Sequence, residues 1–295
     1  MQGKKDKKNR LMKQAGYASV AVAGTLIVLK AVTFLVTGSV AILSSLFDSI
    51  QDMMTSFVNM VAIRHATEPA DKDHRFGHGK AQAIGSLIQA FIIFVAALFL
   101  LFESVDRWCH PKPLTQMGLG IGMTVFAIIL TIVLVRFQSY VIRQTESLSI
   151  KADQAHYTGD ILMNGGVILS MIISEQTGWF QLDALFGMGV SAYLVWVIFP
   201  IVKDSFAMLM DREMSDDFRK QITEIVVSFP GVLGLRDLRT RQSGSDAFVQ
   251  FCVLMDETLT LRQAHDLTDK IESRLRERFP GTDVIIHPEP ERNEK

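Results

Sequence analysis

The sequence has only two cysteines, Cys109 and Cys252, and no Cys-x-x-Cys pair. A disulfide framework and a cysteine-rich zinc knuckle are therefore excluded. The chain also lacks a glycine-rich phosphate loop, and nothing in its carboxy-terminal part is typical of ATP binding. No Ser/His/Asp arrangement supports a hydrolase, and a net charge of −1 gives no reason to expect nucleic acid as a partner. We therefore expect neither an enzyme nor an organic cofactor.

Charged residues are scarce in the middle of the chain and crowd the first thirteen positions and the last ninety. With 48% hydrophobic residues, the chain is too apolar for a simple soluble domain. Its apolar segments are long enough to cross the roughly 30 Å hydrocarbon core of a bilayer. The first is not followed by a small-residue cleavage site, which favours a retained membrane helix over a signal peptide. The predicted spans are residues 16–36, 40–63, 83–102, 117–137, 155–174 and 182–202.

An even number of spans places both termini on one side of the membrane. The amino-terminal tail, residues 1–13, and the loops after the second and fourth spans are rich in lysine and arginine. By the positive-inside rule, both termini are therefore cytoplasmic. A Gly38-Ser39 break separates the first two spans, and Pro111 and Pro113 mark a turn after the third.

After a transmembrane domain of residues 14–208, residues 209–290 have the pattern of a small soluble domain. Capping residues and Pro-Gly pairs delimit two helices, and alternating apolar residues indicate three strands. The predicted order is αββαβ, which suggests a small two-layer α+β domain. Residues 291–295 form a polar tail.

Two carboxylates, Asp48 and Asp52, lie four residues apart inside the second apolar segment, and His156 and Asp160 repeat this spacing in the fifth. A spacing of four places both members of a pair on one helix face. A charge at this depth costs about 2.5–3.5 kcal/mol on insertion scales, so two such pairs indicate function. Three carboxylates and an imidazole form a four-ligand set for a divalent cation. The alternative is a hydrogen-bond network that only joins helices.

Further polar residues share these two helix faces and would line a water-accessible path between them: Ser45, Thr55, Ser56, Asn59 and Asn164. Histidine with carboxylates suits zinc, ferrous iron, cobalt, cadmium or manganese, while the lack of thiolate disfavours cuprous copper. Protons compete for the same four groups. We therefore hypothesise that metal is exchanged for protons.

Two further clusters are candidates for metal binding. In the cytoplasmic loop after the second span, the spacings of Asp71, His74 and His78 allow them to converge on one ion, the alternative being a solvated connector. In the tail, His287 and Glu289 share a strand face if the strand continues through Pro288. His265 and Cys252 are weaker candidates to join them, and an ordinary surface histidine is the competing interpretation.

These stretches together resemble the cation diffusion facilitator family, in particular its bacterial ferrous-iron and zinc efflux pumps. The resemblance covers nearly the whole chain. It is carried by the two membrane pairs and by three further stretches: the loop 71–80, Leu238–Gly244 and Val284–His287.

The resemblance implies a homodimer in a bacterial inner membrane that exports zinc or ferrous iron, with cadmium as a further candidate, in exchange for protons by alternating access. It implies that Asp48, Asp52, His156 and Asp160 form the transport site. It also implies that the cytoplasmic α+β domain is metallochaperone-like, that the loop holds a second metal site, and that Lys80 and Asp211 form a charge pair.

The tail departs from the family pattern, because Arg236 and Cys252 stand where the family has histidines. Arginine cannot ligate a metal. We therefore expect one weaker tail site, formed by His265, His287 and Glu289, in place of two. The rival to the antiporter is a non-transporting metal receptor that dimerises through its tail, and a third possibility is an exporter of organic cations.

Overall fold

The computed structural model describes residues 2–37, 40–110, 118–177 and 181–291. The Gly38-Ser39 break, the Pro111 and Pro113 turn and most of the 291–295 tail lie outside these residues. The described chain contains eight helices and three strands: α1 (Gln2–Thr37), α2 (Val40–Ala66), α3 (Ala81–Cys109), α4 (Gly118–Thr145), α5 (Leu148–Thr177), α6 (Leu182–Leu209), α7 (Asp216–Val227), β1 (Val232–Ser243), β2 (Asp246–Met255), α8 (Leu261–Arg278) and β3 (Thr282–Pro290).

The chain divides into two compact units, which we call the helical unit and the sheet unit. The helical unit comprises Lys8–Glu68 and Ala81–Ser205, and the sheet unit comprises Met1–Lys7, Pro69–Lys80 and Phe206–Lys295. The loop Pro69–Lys80 therefore belongs structurally with the carboxy-terminal residues. A division of the chain by sequence order alone does not reveal this assignment.

Each of the six predicted membrane segments lies in a long helix, and two of these helices begin well before the predicted segment. The basic amino-terminal residues form the first turns of α1, and α5 begins at Leu148. Within the described residues, four stretches are long and apolar enough to cross a membrane: Asp6–Val36, Ala81–Cys109, Ile121–Thr145 and Leu182–Leu209. The helices α2 and α5 are less apolar on average than α3, α4 and α6, because they carry the carboxylates, hydroxyls and amides of the candidate site.

Small residues allow the helices of the helical unit to approach closely. The core between α3, α5 and α6 includes Ala90, Ala97, Ala152 and Ala155, packed against leucine, isoleucine and valine. Many large apolar side chains face outward instead, among them Phe99, Trp196 and Phe199, each more than 70% exposed. An apolar exterior around a partly polar interior fits a lipid environment.

The sheet unit has the predicted αββαβ order. Its sheet has the order β1-β2-β3, with β1 and β2 antiparallel and β2 and β3 parallel. Alternate residues of β2, from Val249 through Met255, point into a core that α7 and α8 cover. The strand β3 continues through Pro288, which an edge strand tolerates because one side of it needs no hydrogen-bond donor.

We predict that Ile271→Ala destabilises a fragment of residues 209–295 by about 2–5 kcal/mol, because it leaves a cavity under α8. Ile271 is fully buried there, whereas Leu261, on the same helix, is 84% exposed. Leu261→Ala is therefore the matched control and is expected to change stability by less than about 0.5 kcal/mol. Urea unfolding followed by circular dichroism measures both. Equal effects would contradict the assignment of this core.

Candidate metal sites

The helices α2 and α5 bring three of the four predicted membrane ligands together. His156 Nε2 lies 3.1 Å from Asp52 Oδ1 and 3.9 Å from Asp160 Oδ2. One ligand atom from each of the three residues lies within 4.8 Å of the others, and all three side chains are at least two-thirds buried. This spacing allows one cation to contact both carboxylates and the imidazole.

Asp48 is exposed and lies outside this three-residue group in the structure. It sits one helical turn before Asp52 on the same face of α2. Its role as the fourth ligand stays a prediction.

The polar residues expected to line a path have mixed roles. Ser56 Oγ lies 2.7 Å from the hydroxyl of Tyr157, so the polar faces of α2 and α5 do meet. Asn164 instead donates to the backbone carbonyl of Asp160, and Thr55 donates to the backbone of its own helix. These two residues satisfy the helix backbone in the structure.

A buried carboxylate near the cluster escaped the sequence analysis. Asp153, one turn before His156, is 1% exposed and accepts hydrogen bonds from Ser19 Oγ at 2.6 Å, Gln138 Nε2 at 2.8 Å and Gln89 Nε2 at 3.0 Å. These bonds join α1, α3 and α4 to α5. The predicted fifth span, residues 155–174, left Asp153 outside the membrane core, whereas α5 begins at Leu148.

Lys30 of α1 was missed for a related reason, although it is the only lysine or arginine between Lys13 and Arg64. Its ammonium group donates to the backbone oxygen of Ser45 at 3.0 Å and to Ser49 Oγ at 2.6 Å. Both partners lie on α2, close to the carboxylate pair. A single cation within an apolar span was the available signal.

Asp71, His74 and His78 converge in the loop. His74 Nδ1 lies 3.4 Å from Asp71 Oδ1, and His78 Nε2 lies 3.3 Å from Asp71 Oδ2. The backbone N–H groups of Asp73 and His74 also donate to Asp71 Oδ1. The hydrogen bond from the His74 backbone, which outweighs the small opposing effect of burial, holds the pKa of Asp71 below its usual value. The carboxylate is therefore ionised and ready to bind a cation at neutral pH.

Aromatic and charged contacts fix this loop within the sheet unit. The Arg241 guanidinium lies 4.8 Å from the ring centroid of Phe76 in the loop and 4.9 Å from that of Phe248 in β2. Gly79 approaches the β1–β2 turn so closely that a β-carbon would collide with the carbonyl of Ser243. The stretch Leu238–Gly244 thus supplies both a cation–π partner and a close backbone contact.

The charge pair implied by the resemblance is present. Lys80 Nζ lies 2.9 Å from Asp211 Oδ1, and Arg241 Nη1 lies 3.2 Å from Asp211 Oδ2. Burial alone would raise the pKa of Asp211, but the hydrogen bond and charge of Lys80, together with Arg241, lower it overall. Asp211 therefore joins the loop to the residues that follow α6.

The tail candidates do not form a three-ligand cluster within the described chain. His265 pairs with Asp269 on its own helix at 3.3 Å, and His287 Nε2 lies 3.8 Å from Glu289 Oε1 on β3. Cys252 is the β2 partner of His287 and pairs with Arg236 on its other side. Burial, followed by the charge of Glu289, raises the pKa of the Cys252 thiol. The predicted tail site remains a prediction.

We predict that Lys80→Met lowers the melting temperature of the full-length protein slightly at pH 7, because the pair is partly exposed and such pairs contribute at most about 1 kcal/mol. The Asp211 pKa is lower in the folded than in the unfolded state, so its stabilisation is present above the unfolded pKa of about 3.9 and is lost as the pH falls through the folded pKa. The difference between variant and wild type should therefore shrink in acid. Lys72→Met, in the same loop, is the control, and a difference that persists in acid would contradict the charge pair.

Comparison with known proteins identifies the family of this chain. Residues 17–210 match the family profile described as the cation efflux transmembrane domain, and residues 214–291 match the cation efflux protein cytoplasmic domain. The cation-efflux pump FieF of Salmonella newport is 42% identical over 281 residues, covering 95% of this chain and 93% of the pump. FieF of Salmonella agona matches to the same extent.

Solved structures offer only a partial likeness. A chain of CzrB, described as a zinc transporter, is 28% identical and covers 27% of this chain and 99% of its own length, with a TM-score of 0.26. At that score the likeness carries no argument, and the assignment rests on the sequence matches. They show a multi-pass membrane transporter for metal cations, with a small cytoplasmic domain built on a three-stranded sheet. Matched in both domains and along 95% of its length, the chain belongs to the cation diffusion facilitator family.

Proposed function

We propose that this protein is a homodimeric antiporter of the bacterial inner membrane that exports zinc or ferrous iron, with cadmium as a further candidate, in exchange for protons. All six long helices cross the membrane, and both termini are cytoplasmic. The observation that carries the proposal is the convergence of Asp52, His156 and Asp160 from two helices, with one ligand atom of each within 4.8 Å of the others. Asp48 completes the ligand set when metal binds.

Proton coupling follows from the chemistry of these ligands. The 3.1 Å contact between His156 Nε2 and Asp52 Oδ1 is a hydrogen bond when a proton is present and a pair of metal ligands when a cation replaces it. Export of a divalent cation against an inside-negative potential costs about 4.6 kcal/mol per 100 mV, at about 2.3 per charge. Inward proton movement offsets this cost. Alternating access then requires the site to open to one side at a time.

The loop and tail sites would regulate transport. The loop cluster has three ligands already in place, whereas the tail has His287 and Glu289 on one strand, with Cys252 beside them and His265 on α8. We expect the loop to bind metal more tightly than the tail.

The proposal is tested by metal flux into proteoliposomes under an imposed pH gradient, with zinc, ferrous iron, cadmium and manganese offered separately. We expect flux that requires the gradient and is abolished by Asp160→Ala. Asp106→Ala removes an exposed carboxylate at the end of α3 and is the matched control, with flux expected to remain. Flux that ignores the pH gradient would refute proton exchange. Absence of flux for every metal, with metal binding retained by the sheet unit, would favour the receptor.

Equilibrium dialysis of the full-length protein with zinc tests the loop site. We expect His78→Ala to bind one ion fewer per protomer than wild type, because two ligands cannot replace three. His65→Ala changes an exposed histidine near the end of α2 and should leave the stoichiometry unchanged. Unchanged stoichiometry in His78→Ala would rule out metal binding by this cluster.

A further inference from the structure

Lys30, in the apolar part of α1, lies next to the candidate transport site and has no role in the proposed exchange. Lys30 reaches from α1 to α2, where its ammonium group is held by the backbone oxygen of Ser45 and by Ser49 Oγ. Ser49 is 1% exposed, so the second of these bonds is made in the protein interior. A lysine in a membrane helix is costly and is retained where it has a partner or a function.

Helix geometry places this ammonium group close to the ligand carboxylates. Ser49 directly follows Asp48 and precedes Asp52 by three residues, a rise of about 5 Å along the helix axis. Asp52 in turn lies in the cluster with His156 and Asp160. The charge of Lys30 is therefore held beside the helix turn that carries Asp48 and Asp52, while its hydrogen bonds go to Ser45 and Ser49.

A fixed positive charge has opposite effects on the empty and the loaded site. In the empty site it reduces the mutual repulsion of the carboxylates. In the loaded site it repels the divalent cation, and a protonated lysine has no lone pair with which to bind the metal itself. A transport site must bind its ion firmly enough to load and weakly enough to release. A lysine at this position shifts the balance towards release.

We propose that Lys30 is a positioning residue that weakens metal binding through its charge and so accelerates release of the cation from the Asp52, His156 and Asp160 cluster. This inference rests on the proposed transport function. The bond to the Ser45 backbone holds the charge near the site, and the bond to Ser49 is a second link between α1 and α2.

The competing explanation is a purely structural bridge between α1 and α2. Three substitutions separate charge from bridge. Lys30→Met preserves the unbranched apolar stem of the lysine side chain but removes its charge. Lys30→Arg retains the charge. Ser49→Ala removes one hydrogen bond and leaves the charge in place. Lys203→Met, on α6, makes the same substitution elsewhere in the chain as a control.

The experiment measures zinc binding and transport separately. Equilibrium zinc binding is measured on the full-length protein with and without Asp160→Ala, and the difference is the binding to the transport site. Initial flux rates, measured as a function of zinc concentration, give KM and kcat. For Lys30→Met we expect binding about tenfold tighter, with KM and kcat both about tenfold lower, since one charge at this range acts on a divalent ion with at least about 1.4 kcal/mol. Lys30→Arg, Ser49→Ala and Lys203→Met should resemble wild type.

Unchanged or weaker zinc binding in Lys30→Met would overturn the inference, as would a Ser49→Ala variant with the same kinetic changes as Lys30→Met. If Lys30→Met does not yield folded protein, Lys30→Gln provides the same charge removal and the same expected changes. Absence of flux in the wild type would refute the proposed transport but not the inference about Lys30, because the binding measurement still compares the charged and uncharged variants.

Discussion

The contact between Asp52 on α2 and His156 on α5 is the interaction on which the rest of the helical unit depends. Charged and hydrogen-bonding groups are costly inside an apolar bundle unless they satisfy one another. Asp160, Ser56 and Tyr157 lie around this contact and pair with neighbouring polar groups. One helical turn before His156, Asp153 accepts hydrogen bonds from side chains of three further helices. The same groups that stabilise the empty protein are the ones that a cation would bind. Stability of the bundle and occupancy of the site are thus linked.

The loop Pro69–Lys80 has a comparable double role in the sheet unit. Its Asp71, His74 and His78 form a ligand cluster, while Phe76, Gly79 and Lys80 anchor the segment on β1, β2 and Asp211. Residues that bind and residues that anchor alternate within ten positions. A change in the positions of the ligands must therefore move the anchoring residues as well, because the two sets are separated by only one or two residues along the chain.

Much of this arrangement follows from the sequence. The spacing of Asp48 and Asp52, and of His156 and Asp160, identified the helices that carry the site, because residues four positions apart lie on the same helix face. Ligand types in the loop indicated its cluster. The αββαβ order followed from capping residues, alternation and Pro-Gly pairs, and the family resemblance placed the pair of Lys80 and Asp211. The sequence could not show that Asp48 lies outside the cluster of Asp52, His156 and Asp160 in this structure, because a shared helix face does not fix how far each side chain is from the residues of another helix.

The sequence by itself determined which residues are chemically able to bind metal and which helices and strands present them. Only the tertiary structure decided which of them meet. It joined Asp52 to His156 across 104 positions, surrounded Asp153 with donors from three other helices, and placed Lys30 beside the carboxylate face of α2. In the tail it left His265 paired with Asp269 on its own helix. The physical reason is that local periodicity fixes the direction of a side chain within its own element, whereas contacts between elements depend on how whole helices pack.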